Sequence, residues 1–161
     1  MSKITFRQTV RPEDIPIVEE ILNSSGFFYD IEIPVALELV EDRLEHGDLS
    51  DYQIIFAEID SKVVAYACFG LIPGTLGSYD LYWIATHNDL RGKGIGIQLL
   101  EEVHRIIGVL DGRILIAETS SLEKYAPTRH FYLSAGYAQE ARLADFYRVG
   151  DDKIFFVKRI L

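Results

Sequence analysis

The stretch LRGKGIGIQLL contains three glycines at alternate positions, Gly92, Gly94 and Gly96. Glycine inside a helix costs about 0.5–1 kcal/mol relative to alanine, so this spacing needs a physical reason. A loop that enters a helix points free backbone N–H groups outward and carries the positive end of the helix dipole. Glycines let an anion such as a pyrophosphate approach those groups, and Arg91 and Lys93 add positive charge. The pattern is typical of a phosphate-binding turn.

The same glycines are also compatible with a turn that binds no ligand, in which a strand meets a helix through close packing. A Rossmann dinucleotide site needs GxGxxG early in a βαβ unit, whereas the spacing here is GxGxG after a strand in the middle of the chain. A Walker loop needs GxxxxGK[ST], which the sequence lacks. The glycines alone leave the packed turn and the phosphate cradle both open.

The hydrophobic periodicity predicts which elements hold this turn. We expect strands over residues 4–10, 52–59, 62–71, 79–86, 113–118, 137–146 and 154–161. Helices are expected from Pro12 to near Gly26, after Pro34 to Gly47, over 95–110 and over 127–135. The order β-α-α-β-β-β-α-β-α-β-β predicts a mixed sheet with helices packed on it.

Composition limits the class of protein. A chain of 161 residues, 48% hydrophobic and 25% charged, is typical of one soluble domain. The net charge of −9 argues against nucleic acid as a partner. The absence of an apolar run of about 18 residues argues against a membrane span. The single cysteine, Cys68, and the lack of a signal-peptide pattern indicate a cytoplasmic protein. The four histidines lack metal-ligand spacing, so we expect no metal.

Two segments together resemble a known family. Residues 91–96, RGKGIG, are similar to the [RQ]xxGxG signature of the GNAT superfamily of acetyl-CoA-dependent N-acetyltransferases, and residues 129–137, RHFYLSAGY, resemble the late helix of that family, often written FYEKLGF. The resemblance implies an α+β fold with a mostly antiparallel, splayed central sheet of about seven strands flanked by about four helices. It implies a single acetyltransferase domain over residues 1–161.

The resemblance also implies acetyl-CoA as cosubstrate and assigns its binding residues. In the family, backbone N–H groups of the glycine turn hold the coenzyme pyrophosphate, which here corresponds to Arg91, Gly92, Lys93, Gly94, Ile95 and Gly96. The preceding strand holds the pantetheine arm by main-chain pairing, and the corresponding residues are Ile84, Ala85 and Thr86.

A general acid must protonate the thiolate of coenzyme A as it leaves. Tyr132 lies at the position of the family's tyrosine, and a phenol can donate a proton to sulfur. Phe131, rotated by about 100° on the same helix, is expected to pack in the core. The alternative is that Tyr132 is itself only a half-buried packing residue.

A general base must take a proton from an amine acceptor, and two carboxylates are candidates. The alignment implied by the family places Asp80 where several members carry a catalytic glutamate. Glu118 ends the next strand, where the sheet of such enzymes splays. The alternatives are that Asp80 caps the loop edge at Ser78 or Tyr79, and that Glu118 forms a salt bridge or lies at a helix start.

The match to the family is incomplete near the thioester. Many members carry an asparagine seven residues before the tyrosine, whereas Tyr125 stands at that position here. Thr119, Ser120 or Ser121 can replace it as a polar partner. All three remain candidates.

The sequence therefore predicts an N-acetyltransferase that acts on a small-molecule or peptide amine through a direct ternary complex. Transfer of another acyl group, and a coenzyme A sensor without catalysis, are the alternatives. The aromatic run at residues 27–29 is either a lid over the acceptor or a packed loop. The apolar closing strands predict a homodimer.

Overall fold

The structure, a computed structural model, describes residues 2–160. Within this range the elements follow the predicted order. They are β1 (Ile4–Arg7), α1 (Asp14–Ser25), α2 (Glu32–His46), β2 (Gln53–Ile59), β3 (Lys62–Leu71), β4 (Ser78–Thr86), α3 (Ile95–Val109), β5 (Ile114–Ser120), α4 (Ala126–Ser134), β6 (Ala138–Arg148) and β7 (Asp151–Arg159).

The seven strands form one mixed sheet in the order β1-β2-β3-β4-β5-β7-β6. The β1–β2, β2–β3, β5–β7 and β6–β7 ladders are antiparallel, and the β4–β5 ladder is parallel. This arrangement confirms the predicted α+β fold. The β4–β5 ladder joins Ser78–Leu81 to Ile114–Ala117, and β4 then continues to Thr86. Such an early end of pairing is expected of a splayed sheet.

Most element boundaries differ from the prediction by one to three residues, as for β7, which begins at Asp151 rather than residue 154. Helix α2 begins at Glu32, because Pro34 lies in the first turn, where its missing N–H has no acceptor inside the helix. Strand β1 ends at Arg7 rather than residue 10, at the residue whose guanidinium binds Asp14 at the start of α1. Strand β5 extends to Ser120 through its ladder with β7. Leu161, the predicted end of the last strand, lies outside the described residues.

The chain forms two compact units. The first comprises the residues up to Leu71 together with Tyr82–Val103, and the second comprises Ile72–Leu81 and the residues from His104 onward. In the first unit, α1 and α2 contribute apolar side chains to a core shared with β2 and β3. Its buried members are Val18, Leu22, Ile33, Ala36, Leu37, Val40, Ile54, Phe56, Tyr66 and Cys68.

A buried ion pair joins the start of α1 to the sheet in the first unit. The Asp14 carboxylate, almost fully buried, accepts hydrogen bonds from both terminal nitrogens of Arg7 at 2.8 and 2.9 Å and from the backbone N–H of Arg11 at 2.7 Å. Arg7 also bonds Glu58 on β2 at 3.2 Å. These bonds satisfy a carboxylate that would be costly to bury alone.

In the second unit, β5 presents two different faces. Leu115, Ala117 and Thr119 are buried, whereas the intervening side chains are more accessible. Helix α4 is followed by Gly136, whose φ of 87° lies in the left-handed region that favours glycine. The next N–H, of Tyr137, returns to the carbonyl of Tyr132 at 3.0 Å.

Candidate active site

The glycine turn lies in the first unit between β4 and α3. Helix α3 begins at Ile95, so the N–H groups of Ile95, Gly96 and Ile97 have no acceptor within the helix. The helix ladder starts with the bond from the N–H of Gln98 to the carbonyl of Gly94, at 3.2 Å. The turn therefore offers consecutive backbone donors at the positive end of a fifteen-residue helix.

The backbone conformation at two positions of the turn favours glycine. Gly92 and Gly94 have φ of 77° and 80°, a conformation that side chains rarely adopt. A Cβ on Gly92 would meet nothing within 4 Å, and one on Gly94 would meet only the Gln98 amide nitrogen, at 4.0 Å. Close packing therefore does not explain either glycine. The open space beside the backbone is what a pyrophosphate needs to reach the N–H groups.

The basic side chains of the turn are accessible to an anion. Arg91 and Lys93 are both exposed. The Arg91 guanidinium lies 5.2 Å from the centre of the Phe27 ring, and Phe28 packs edge-on against Trp83 at 5.3 Å. The loop between α1 and α2 therefore packs against residues of β4 and the turn, although Tyr29 remains exposed.

Ile84, Ala85 and Thr86 form the end of β4, in the first unit, and are half-buried. They lie beyond Leu81, the last β4 residue in the ladder with β5. Main-chain groups on that edge are therefore not used by the ladder. This is the position where the resemblance assigns the pantetheine arm.

The second unit brings the two candidate carboxylates onto one face of the sheet. Asp80 on β4 pairs in register with Ile116, and Glu118 is two residues further along β5. Lys153 on β7 pairs with Ser120, so its side chain lies on that face too. Its ammonium is 2.8 Å from the Glu118 carboxylate. The structure therefore confirms the salt-bridge alternative for Glu118.

The two carboxylates differ in their electrostatic surroundings. Burial, followed by the negative charge of Glu118, raises the pKa of Asp80, while the positive charge of Lys153 opposes the shift. Asp80 lies within β4 rather than at a loop edge. A carboxylate whose pKa is raised is a better proton acceptor than an ordinary one.

Lys153 was not predicted from the sequence, although it borders the candidate bases. Its Nζ atom lies 4.1 Å from the centre of the Phe146 ring and 5.5 Å from that of Phe155. Phe146 lies in a bulge of β6 at which Leu143 and Arg148 pair with Lys153 and Asp151. A bulge shifts the side-chain phase, so the alternation of β6 could not predict this contact.

Tyr132 is buried in an aromatic cluster on the opposite face of the second unit. Its ring stacks on Phe156 at 5.8 Å and lies 5.3 Å from Tyr137. Phe156 pairs with Ala117 of β5. Burial raises the pKa of the Tyr132 phenol, so it keeps its proton at neutral pH. Tyr132 is 5% exposed, whereas Phe131, which was expected to pack in the core, is half-buried and lies with its ring 5.3 Å from that of Tyr132.

A histidine adjoins this cluster. The Tyr137 hydroxyl lies 2.7 Å from Nε2 of His104. Burial first, and the charge of Lys158 second, lower the pKa of His104 to about 4. His104 is therefore neutral at physiological pH and forms a hydrogen bond rather than an ion pair.

The thiol of Cys68 takes no part in the site. Cys68 is buried in the first unit, and burial raises the pKa of its thiol, so it stays protonated. Among residues 2–160, no group of three or more histidine, cysteine or carboxylate side chains is arranged to hold a metal. Within the same residues, no helix has the length and apolar character needed to cross a bilayer.

Comparison with known proteins agrees with the fold. Residues 50–139 match the family model of the acetyltransferase (GNAT) domain. This chain belongs to the GNAT family of acetyltransferases and is an acyl-transfer enzyme.

Individual relatives extend the similarity beyond the matched segment. A protein of Desulfovibrio desulfuricans assigned to the GNAT family is 45% identical, with a TM-score of 0.96 over 99% of this chain and 100% of that one. An uncharacterised N-acetyltransferase of Methanocaldococcus jannaschii is 29% identical over 91% of this chain and 86% of its own. A Salmonella typhimurium protein described as an acetyltransferase, solved with its cofactor acetyl-CoA, is 20% identical, with a TM-score of 0.75 over 99% of this chain and 95% of that one.

Proposed function

We propose that this enzyme transfers the acetyl group of acetyl-CoA directly to a primary amine of a small molecule, amino acid or peptide. Both substrates would be bound at once, within a single acetyltransferase domain. The observation that carries the proposal is the arrangement around the end of the β4–β5 ladder. Asp80 and Glu118 lie on one face there, and the aromatic cluster of Tyr132 lies on the other.

The coenzyme is assigned to the glycine turn and the end of β4. Backbone N–H groups from Arg91 to Gly96 would bind the pyrophosphate, with the Arg91 and Lys93 side chains adding charge at the rim. Main-chain groups of Ile84–Thr86 would pair with the pantetheine arm. The open space beside Gly92 and Gly94 supports this assignment because no protein atom fills it.

Asp80 is the better of the two candidate bases. A protonated amine must lose a proton to attack, and a base with a raised pKa accepts it more readily. The Lys153 ammonium contacts the Glu118 carboxylate at 2.8 Å, and this contact fixes the position of Glu118. We therefore assign Asp80 as the group that accepts the proton, directly or through a water. Glu118 acts on Asp80 through its negative charge.

Tyr132 is the proposed general acid. Attack of the amine nitrogen on the thioester carbon forms a tetrahedral intermediate, and its collapse breaks the carbon–sulfur bond. The sulfur leaves with negative charge and takes a proton from the phenol, which burial keeps protonated. The ladder ends at Leu81 and Ala117, with Asp80 on one face and the ring cluster of Tyr132 on the other, which supports placing the acyl group at that point.

We further propose a cytoplasmic homodimer built on β6. This strand lies at the edge of the sheet, and all of its residues from Ala138 to Arg148 are exposed. Leu143, Phe146 and the adjoining Val149 add exposed apolar area. A long unprotected edge is an aggregation hazard, and pairing with the same strand of a second copy would cover it.

The experiment that tests the function is an acceptor screen. Purified protein is incubated with acetyl-CoA and a panel of polyamines, aminoglycosides, amino acids and peptides, and free thiol is measured. A hit must also show an acetyl mass increment on the acceptor. Amine-dependent thiol release with a matching acetylated product supports the proposal. Tight coenzyme binding with no transfer to any amine class would favour the sensor instead.

A further inference from the structure

One hydroxyl at the end of β5 lacks a hydrogen-bond partner. Thr119 is 5% exposed, and its Oγ1 atom has no partner among the described residues. The side chains of the next two residues, Ser120 and Ser121, both form hydrogen bonds. Ser120 donates to the Asp151 carboxylate and accepts from the N–H of Leu122 at 3.1 Å, and Ser121 accepts from the N–H of Asp152 at 2.7 Å. Of the three polar residues left open by the sequence, Thr119 alone has a buried hydroxyl without a partner among the described residues.

A buried unpaired hydroxyl is unfavourable, because its lost hydration is not replaced. Valine has nearly the same shape, suits a strand equally well and has no such cost. Stability alone would therefore favour valine at position 119. The Thr119 hydroxyl is therefore open to a partner from outside the chain, and its position decides whether a ligand can supply one.

The position of Thr119 indicates which partner this is. Its side chain lies on the same face as that of Ala117, the last β5 residue paired with β4. Thr119 itself pairs with Ile154 of β7. Phe156 pairs with Ala117 and carries the stacked ring of Tyr132. The free hydroxyl and the proposed acid therefore lie on one face, just beyond the end of the β4–β5 ladder.

We propose that the Thr119 hydroxyl donates a hydrogen bond to the thioester carbonyl oxygen of acetyl-CoA. This assignment rests on the proposed function. The carbonyl oxygen is an acceptor, and it gains negative charge as the amine attacks, which strengthens a bond from a fixed donor. Coenzyme A with a free thiol has no such oxygen. Thr119 therefore distinguishes the acylated coenzyme from the product.

The test compares Thr119→Val, Thr119→Ser and the control Ser121→Ala. Affinities for acetyl-CoA and for coenzyme A are measured by calorimetry, and the melting temperature is measured without ligand. Thr119→Val should leave the ligand-free melting temperature unchanged or higher. It should weaken acetyl-CoA binding about tenfold relative to coenzyme A, the size of one hydrogen bond. Thr119→Ser should retain the wild-type ratio of affinities.

The control separates a ligand contact from a structural one. Ser121→Ala removes the acceptor of the Asp152 N–H, so it should lower the melting temperature and leave the ratio of affinities unchanged. A Thr119→Val variant with the wild-type ratio, or with equal losses for both coenzymes, would overturn the assignment. A wild-type protein that binds neither coenzyme would overturn the proposed function itself.

Discussion

The ammonium of Lys153 lies 2.8 Å from the carboxylate of Glu118 and 4.1 Å from the centre of the Phe146 ring. The charge of Lys153 also acts on Asp80, which lies on the same sheet face as Glu118. Lys153 lowers the pKa of Asp80, whereas Glu118 raises it. The two side chains therefore act in opposite directions on the proposed base.

Substitutions of these residues should shift the pH profile in opposite directions. Lys153→Met removes a positive charge, so the pKa of Asp80 rises and the acidic limb of kcat/KM moves to higher pH. Glu118→Gln removes a negative charge and moves that limb to lower pH. Asp80→Asn should lower kcat by about 10²–10⁴-fold, the usual contribution of a general base.

These profiles are measured with one amine acceptor, from the lowest pH at which the protein stays folded upwards. Lys153→Arg is the matched control, since it keeps the charge and should keep the limb close to the wild-type position. Shifts of Lys153→Met and Glu118→Gln in the same direction would exclude Asp80 as the titrating base.

Loss of the Tyr132 hydroxyl should affect the chemical step alone. Tyr132→Phe keeps the ring that stacks on Phe156, so fold and acetyl-CoA affinity should persist. We expect kcat to fall about 10–10³-fold, in single-turnover rates as well as in the steady state. Tyr137→Phe removes a neighbouring hydroxyl from the same cluster and serves as the control. Full single-turnover activity in Tyr132→Phe would make it a packing residue.

Stability should fall as the pH falls because of His104. Its pKa is about 4 in the folded protein, against an ordinary value near 6.5. Between these values the unfolded chain binds more protons than the folded one, so the free energy of unfolding decreases as the pH is lowered from about 6.5 to about 4. His104→Gln cannot titrate and should flatten this dependence.

Urea unfolding at several pH values between about 4.5 and about 7.5 measures the effect. The comparison is His130→Gln, which changes an exposed histidine and leaves His104 in its half-buried position, so the loss of stability towards low pH should persist. Equal slopes for His104→Gln and the wild type would show that His104 does not bring about the loss of stability.

The edge strand β6 predicts the oligomeric state. Light scattering at micromolar concentration should give the mass of two chains. Leu143→Lys adds charge at the proposed interface and should shift the protein towards monomer with its melting behaviour otherwise intact. Leu76→Lys, which changes another exposed leucine, should not. A monomeric wild type would rule out the proposed dimer.

The sequence predicted the element order correctly because periodicity marks each strand and helix directly. The predicted strands over 52–59 and 62–71 are one example, and the two residues between them, Asp60 and Ser61, both have positive φ, as a tight turn requires. The glycine turn was also identifiable, since its spacing is local.

Contacts that depend on strand register could not be predicted from the sequence. The pairing of Ser120 with Lys153 brings the ammonium to Glu118, although β5 and β7 are far apart along the chain. The rotation of α4 likewise decides that Tyr132 is buried more deeply than Phe131. A short helix with aromatic residues at consecutive positions does not reveal which of them faces the core.

The phosphate cradle is tested most directly by a substitution of Gly94 and its effect on acetyl-CoA binding. Gly94→Val is compared with Gly74→Val, because Gly74 has a nearly identical φ of 81° and equally open surroundings, but lies outside the turn. Both variants carry the same backbone strain. At about 100 times the dissociation constant, acetyl-CoA should raise the melting temperature of the wild type and of Gly74→Val by about 5–10 °C. Gly94→Val should show no such rise. An equal rise in all three proteins would contradict the phosphate cradle.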